Sequence, residues 1–252
     1  IGMGVGFLIA LSTLLVGGKR KGYLHISPHD RWRFDKESMR AIVKVGGNAA
    51  IEQVGMRFGF FVYARILFSL GTTMYAANQI CMQLLNLTFT FGDGLGVAGT
   101  ALVGQNLGRK RPDLSMLYGK ICQRFAVMVS LLLGVLILVF RRTLASWFIG
   151  ADTMNADLVI DYAARTLIVL AAIQPFQTSA VVLSGSLRGA GDNLYVALIS
   201  TICISVVRPA MAVLAVNVLH LDLTGVWVFG MSEIAIRFFF FYPRFASGKW
   251  KD

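Results

Sequence analysis

Six apolar blocks fill most of the chain, at residues 49–69, 78–104, 121–140, 161–184, 194–218 and 224–242. A helix needs about 20 apolar residues to cross a bilayer core roughly 30 Å thick. No water reaches the backbone inside that core, and a helix satisfies its own N–H and C=O groups. The blocks therefore predict an all-α fold, a polytopic transmembrane helix bundle with six full spans. A further apolar run opens the chain, "IGMGVGFLIALSTLLVGG", with no basic stretch before it and no cleavage site after it. It is expected to be the end of a preceding transmembrane helix rather than a signal peptide. On that reading the chain is a fragment of a longer protein.

The expected plan has four parts: the end of a preceding helix (1–16), a basic loop with an amphipathic lead-in (17–47), a six-helix lobe (48–243) and a short tail (244–252). Asp35 is placed to cap the lead-in, with Glu37 in its first turn, where a negative charge meets the positive helix end. Charged residues make up 15% of the chain, against about a quarter in soluble domains. The net charge of +11 raises nucleic acid as a partner, but the lysines and arginines sit in loops. Lys19, Arg20, Lys21, Arg31 and Arg33 lie in one, Arg109, Lys110 and Arg111 in another, and Arg244, Lys249 and Lys251 at the end. Membrane topology accounts for that distribution, so no nucleic-acid partner is expected.

With 17–47 cytoplasmic, the loops alternate as the positive-inside rule requires. The connections "SLGTTMYAA" and "NVLHLDLT" lack Lys and Arg, whereas 105–120 contains "RKR" and 185–193 contains Arg188. Arg141 and Arg142 are the exception, set beside Asp152, Asp157 and Asp161. The expected location is the plasma membrane, with the 17–47 loop and the C-terminus cytoplasmic and the lipid bilayer as partner. Cys81, Cys122 and Cys203 are widely spaced and predict buried thiols rather than disulfides or zinc. His25 and His29 have the i, i+4 spacing of metal ligands, but Pro28 interrupts the helix that spacing requires. No metal site is expected, and no nucleophile elbow, HExxH or phosphate loop argues for an enzyme.

A charge in mid-span costs about 2.5–3.5 kcal/mol on insertion scales, so each one needs a reason. Glu52, Arg57 and Arg65 lie in the first full span. Glu52 and Arg57 are about 140° apart around a helix and poorly placed to pair. Glu52 is expected either to be hydrated near a membrane face or to face a cavity. Asp93, in "FTFGDGLGVAG", stands out more. The glycines around it formally include GxGxxG, but no strand precedes them, so a dinucleotide site is excluded. Gly92 and Gly96 instead give the GxxxG spacing of close helix approach, and Asp93 is expected either to line a cavity, the preferred reading, or to be hydrogen-bonded between helices. Gln79, Gln83 and Asn86 share one face by their i, i+4, i+7 spacing. Such a stripe is expected to face protein or water rather than lipid, with hydrogen bonding between helices the favoured role for any single amide at depth. Gln174 and Gln177 flank Pro175, Arg208 precedes Pro209, and Glu233 and Arg237 are spaced to pair structurally.

"GVAGTALVGQNLGRKRPD" and "GSLRGAGDN" occur in that order at the ends of spans, followed by "GVWVFGMSEIAIRFFFFYPRFASGKW" at the C-terminus. Together they make the chain, from about Ala41 onward, resemble the C-terminal six-helix lobe of multidrug and toxic compound extrusion (MATE) transporters. The resemblance implies one lobe of a two-lobe, cation-coupled antiporter that exports organic, cationic compounds by alternating access. Its coupling ion would be H+ or Na+, it would need no other cofactor, and its partner would be the missing N-terminal six-helix lobe. Glu52 and Gln53 match an acidic-amide pair of bacterial members. With Asp93, Gln79, Gln83, Asn86 and Gln174 they form the expected substrate and ion-coupling set. Gln105, Arg188, Gly189, Gly191, Asp192, Glu233 and Arg237 form the expected conformational set. Asn48 replaces a proline frequent at the helix lead-in, and Asp93 stands where a small or apolar residue is usual. Two rival readings are a lipid-linked oligosaccharide flippase, which calls for a markedly cationic cavity, and a non-transporting membrane scaffold. A channel lacks a filter-like segment.

Overall fold

In the computed structural model, residues 4–8, 11–12, 35–149, 155–248 and 250 are described. The chain divides into two compact units, Ile1–Gly47 and Asn48–Asp252. His25, His29 and the basic cluster at 19–33 lie outside the described residues, as do Asp152 and Lys249. Besides helical residues at 4–8 and 11–12, the helices are α1 (Lys36–Phe68), α2 (Thr72–Gly108), α3 (Pro112–Ser146), α4 (Ala156–Gly189), α5 (Asn193–Val218) and α6 (Leu223–Ala246). No strand occurs among the described residues.

The helices overrun the apolar blocks at several ends. α2 has 37 residues and α3 has 35, so each is roughly 50 Å long at 1.5 Å per residue and extends beyond a bilayer core. The loop expected at 105–120 therefore shrinks to Arg109–Arg111, reversed at Lys110 with φ +58°. Its amides belong to the end of α2, where Asn106 Nδ2 donates to the Leu102 carbonyl at 2.8 Å. Likewise the lead-in is continuous with α1, whose first turn is held by Glu37 N donating to Asp35 Oδ1 at 3.4 Å. The tail expected from 244 begins later, because α6 continues to Ala246.

α3, α4, α5 and α6 are long and apolar enough to cross a membrane. α1 and α2 are long enough but hold Gln53, Arg57, Gln79, Gln83, Asn86 and Asp93. Burial assigns the roles. The apolar stretch of α4 is 61% buried and that of α3 only 28%. α4 is thus the central helix, packed on α2, α3 and α6. α3 turns Phe125, Met128, Leu132 and Val139 outward, the face a lipid-exposed helix presents.

α2 and α4 meet along a seam of small residues. Gly96 lies under Val181, where an added Cβ would stand 3.3 Å from the Val181 carbonyl oxygen. From the other side, a Cβ on Gly185 or Gly189 would collide with the backbone of Gly96 or Thr100. Thr100 Oγ1 bridges the helices, donating to the Gly185 carbonyl at 2.8 Å. Two sequence motifs, "GVAGTALVG" and "GSLRGAG", are thus opposite walls of one interface, as small residues permit in a membrane. Elsewhere a buried amide joins α2 to α6: Asn78 Oδ1 accepts from Trp227 Nε1 at 2.9 Å.

The turn after α4 needs its third glycine, because Gly191 has φ +92°, a conformation that disfavours a side chain. Asp192 is placed in the sequence to cap α5. It holds the N-cap position, but makes no side-chain cap there. Its carboxylate instead accepts from Arg244 Nε at 2.7 Å, and the Arg244 guanidinium lies 5.0 Å from the centre of the Tyr195 ring. The turn is thereby tied to the end of α6. Arg142, one of the two exceptions to the charge alternation, is paired: its Nη2 lies 3.1 Å from Asp161, which also binds Arg165 at 2.7 Å.

α5 is irregular around Pro209. Two π-helical turns, Cys203–Val207 and Leu214–Val218, flank a short α segment that begins at Arg208. Proline lacks an N–H and crowds the preceding turn, and a π-bulge absorbs such a defect without breaking the helix. α6 begins on a capped turn, with Asp222 Oδ1 accepting from Gly225 N at 3.0 Å. Asp222→Ala is expected to cost about 1 kcal/mol, read as a lowered melting midpoint. Asp222→Asn should retain most of that stability, and equal loss in both would remove the cap from the account.

Candidate substrate cavity

Within the second unit, α1, α2, α4, α5 and α6 line an open cavity of about 790 Å³. Helical periodicity explains its wall. On α1, Gln53, Arg57 and Phe60 follow i, i+4, i+7 spacing; on α2, Met82, Asn86, Phe89 and Asp93 continue the same rhythm. α4 adds Gln177 and Arg188, α5 adds Arg208 and α6 adds Arg237. Amides, methionines and aromatic rings thus share the wall with five charged residues. Asp93 is the one carboxylate among the described residues there, against four arginines in the same lining.

Three expected site residues lie elsewhere. Gln79 and Gln83 open on a separate depression of about 360 Å³, shared with Phe148 and Ile149. Gln79 Nε2 donates to the Tyr75 hydroxyl at 3.2 Å. The face that Gln79, Gln83 and Asn86 share is therefore split, because the cavity wall follows the adjacent stripe through Met82, Phe89 and Asp93. Gln174 is buried at 1% exposure, with its Nε2 donating to Thr88 Oγ1, so it joins α4 to α2. It serves as interhelical glue rather than cavity wall. The side chain of Glu52 lies outside the described residues. Of the conformational set, Arg188 lines the cavity, Gly189 packs on Thr100, and Gln105 is exposed at the end of α2.

Beside the cavity lies an ionic triad that pattern reading caught only in part. Glu233 is fully buried and accepts from Arg237 Nε at 2.7 Å, the i, i+4 pair expected from spacing. Its second oxygen accepts from Arg208 Nη2. Two guanidinium groups on one carboxylate leave the triad with a positive charge. Arg208 is only 3% exposed, and its Cζ lies 5.0 Å from the centre of the Phe60 ring and 5.8 Å from that of Tyr63. Both rings are close enough for cation–π attraction. The signal for Arg208 was present in the sequence as an arginine beside a mid-span proline. Its partner was not, because the contact joins residues 25 positions apart on different helices.

The fold and its cavity define a polytopic α-helical membrane protein with an interior space of the size that takes drug-like molecules. The MatE family profile matches residues 49–214, most of the chain, and the chain belongs to that family. It is 28% identical over 224 residues to the probable multidrug resistance protein NorM of Thermotoga maritima, covering 88% of this chain and 46% of that protein. The probable multidrug resistance protein NorM of Bradyrhizobium diazoefficiens is 29% identical, with 86% and 47% covered. The chain thus spans about half the length of these relatives. A crystal structure of MATE in complex with MaL6 superposes with a TM-score of 0.82 over 98% of this chain and 55% of that one, at 20% identity. That likeness shows a shared fold.

Proposed function

We propose that the protein is a cation-coupled antiporter that exports amphipathic organic compounds, with H+ or Na+ entry driving alternating access. The observation that carries this reading is the cavity, in which Asp93 shares a wall with Gln53, Asn86, Met56 and Phe89. Aromatic faces and an exposed carboxylate attract organic cations, methionine adapts to varied shapes, and a carboxylate in a span is a natural carrier of a coupling ion. Membership of the MatE family and similarity to proteins named as multidrug resistance proteins support the same reading. The activity would belong to a two-lobe protein, since the matched relatives are about twice as long.

The test uses the full-length protein in proteoliposomes, following efflux of a fluorescent organic cation under a pH gradient and, separately, a sodium gradient. Efflux driven by one gradient names the ion, and Asp93→Asn is expected to lower the initial rate at least tenfold. Glu52→Gln, run beside it, assigns the acidic-amide pair. Gradient-independent efflux, or unchanged rates in both variants, would move coupling away from these carboxylates. The four arginines on the wall favour a lipid-linked oligosaccharide flippase as the second reading. Translocation of a polyprenyl pyrophosphate without any ion gradient would replace the antiporter with that activity.

A further inference from the structure

We infer that the cavity holds an anion-binding subsite at Arg208, which receives the carboxylate of an amphiphilic organic acid or zwitterion. This rests on the exporter reading and adds a substrate class to it, because Asp93 alone would select for cations. Three observations converge on the subsite. Arg208 lines the cavity, yet it is 3% exposed. Its Nη2 is committed to Glu233, but its Nε and Nη1 are buried without a hydrogen-bond partner among the described residues. The Tyr63 hydroxyl, on a ring that flanks the same guanidinium, is also buried and unpartnered among the described residues.

Unmade bonds of this kind are costly to leave in a folded protein, and buried polar groups almost always find partners. Arginine presents its donors in a planar fork that fits an oxyanion. Glu233 alone does not neutralise Arg208 and Arg237, so the triad retains a charge that an incoming carboxylate would balance. Phe60, 37% exposed, covers the guanidinium in the described state. Its ring supplies a cation–π contact when the subsite is empty and an apolar platform for the aromatic body of a bound acid. Arg57 and Arg188, on the same wall, draw an anion into the cavity.

Charge decides which anion is favoured. A pyrophosphate carries several negative charges and needs several unpaired cations converging on one point, whereas Glu233 already occupies part of the triad. A space of about 790 Å³ lies within the range that drug-sized ligands occupy.

The experiment measures binding to the full-length protein in detergent, with no gradient imposed. The probes are a fluorescent naphthoic acid, a naphthyl-methylammonium of matched size, and a polyprenyl pyrophosphate. The naphthoate is expected to bind saturably. Arg208→Lys keeps a charge for Glu233 but removes the planar fork, and should lower the naphthoate-to-ammonium affinity ratio at least tenfold. A structural role alone would weaken both probes together and leave that ratio unchanged, which overturns the subsite. Arg57→Gln is a second variant in case Arg208→Lys does not yield folded protein. It should weaken naphthoate binding severalfold and flatten its salt dependence. Failure of the naphthoate to bind the wild-type protein, or binding of the pyrophosphate lipid alone, also overturns the proposal. Naphthoate binding without gradient-driven efflux of any probe would retain the subsite and reject the antiporter.

Discussion

Glu233→Ala should destabilise the protein by about 3–5 kcal/mol, the usual cost of removing one partner from a buried ion pair. Glu233 is fully buried and receives Arg237 Nε at 2.7 Å as well as Arg208. Without it, two guanidinium groups face each other inside the bundle with no carboxylate between them. Arg237 can relax towards the cavity, but Arg208 is held at 3% exposure between the Phe60 and Tyr63 rings. A fall in melting midpoint of about 10 °C is expected for a protein of this size. The buried thiols Cys81, Cys122 and Cys203 provide a readout, since they should react with a maleimide dye only as the fold opens. Adding Arg208→Met to Glu233→Ala should recover much of the loss, because it removes the charge that was left behind. A single variant that melts with the wild type would show that the triad contributes little to stability.

The next largest effect is expected at the seam between α2 and α4. Gly189→Val places a branched side chain against the Thr100 backbone, and Gly185→Val does the same against Gly96. Backbone cannot swing aside as a flexible side chain can, so the helices must separate. Overpacking costs typically about 1–3 kcal/mol, and these substitutions should fall at the upper end. They should also break the bond from Thr100 Oγ1 to the Gly185 carbonyl, 2.8 Å long. Gly94→Ala is the matched control. No atom stands within 4 Å of the position its methyl group would take, and alanine is favoured over glycine in a helix by about 1 kcal/mol. It should melt at or above the wild-type temperature. Equal melting of all three variants would remove the seam from the account of stability.

Much of the fold is legible in the sequence because the bilayer imposes a length rule. Each apolar block became one long helix, and the GxxxG spacing at Gly92 and Gly96 marked a true close approach. Helix ends were less legible. Gln105 and Asn106 look like loop residues, but polar residues continue a helix freely once it has left the apolar core. The same limit applied to Asp192: a capping residue at a helix start was evident, but Arg244, which takes its carboxylate, is 52 positions away.

The site shows the division most clearly. Composition and periodicity determined that polar groups lie within the spans, and that Asp93 and Asn86 needed something other than lipid beside them, whereas Gln53 was marked only by the family resemblance. Periodicity gives the relative angles of residues on one helix, but not the direction in which that helix is turned. Only the packing of α2 on α4 decided that Met82, Asn86, Phe89 and Asp93 face the cavity while Gln79 and Gln83 open elsewhere. Only the π-bulged course of α5 against α6 decided that Arg208 meets Glu233 and leaves two of its donors unpaired among the described residues. The sequence by itself determined an α-helical membrane bundle with charged residues in its interior. The tertiary structure decided the sign and position of the charge lining its cavity, because that depends on contacts between residues far apart in the chain.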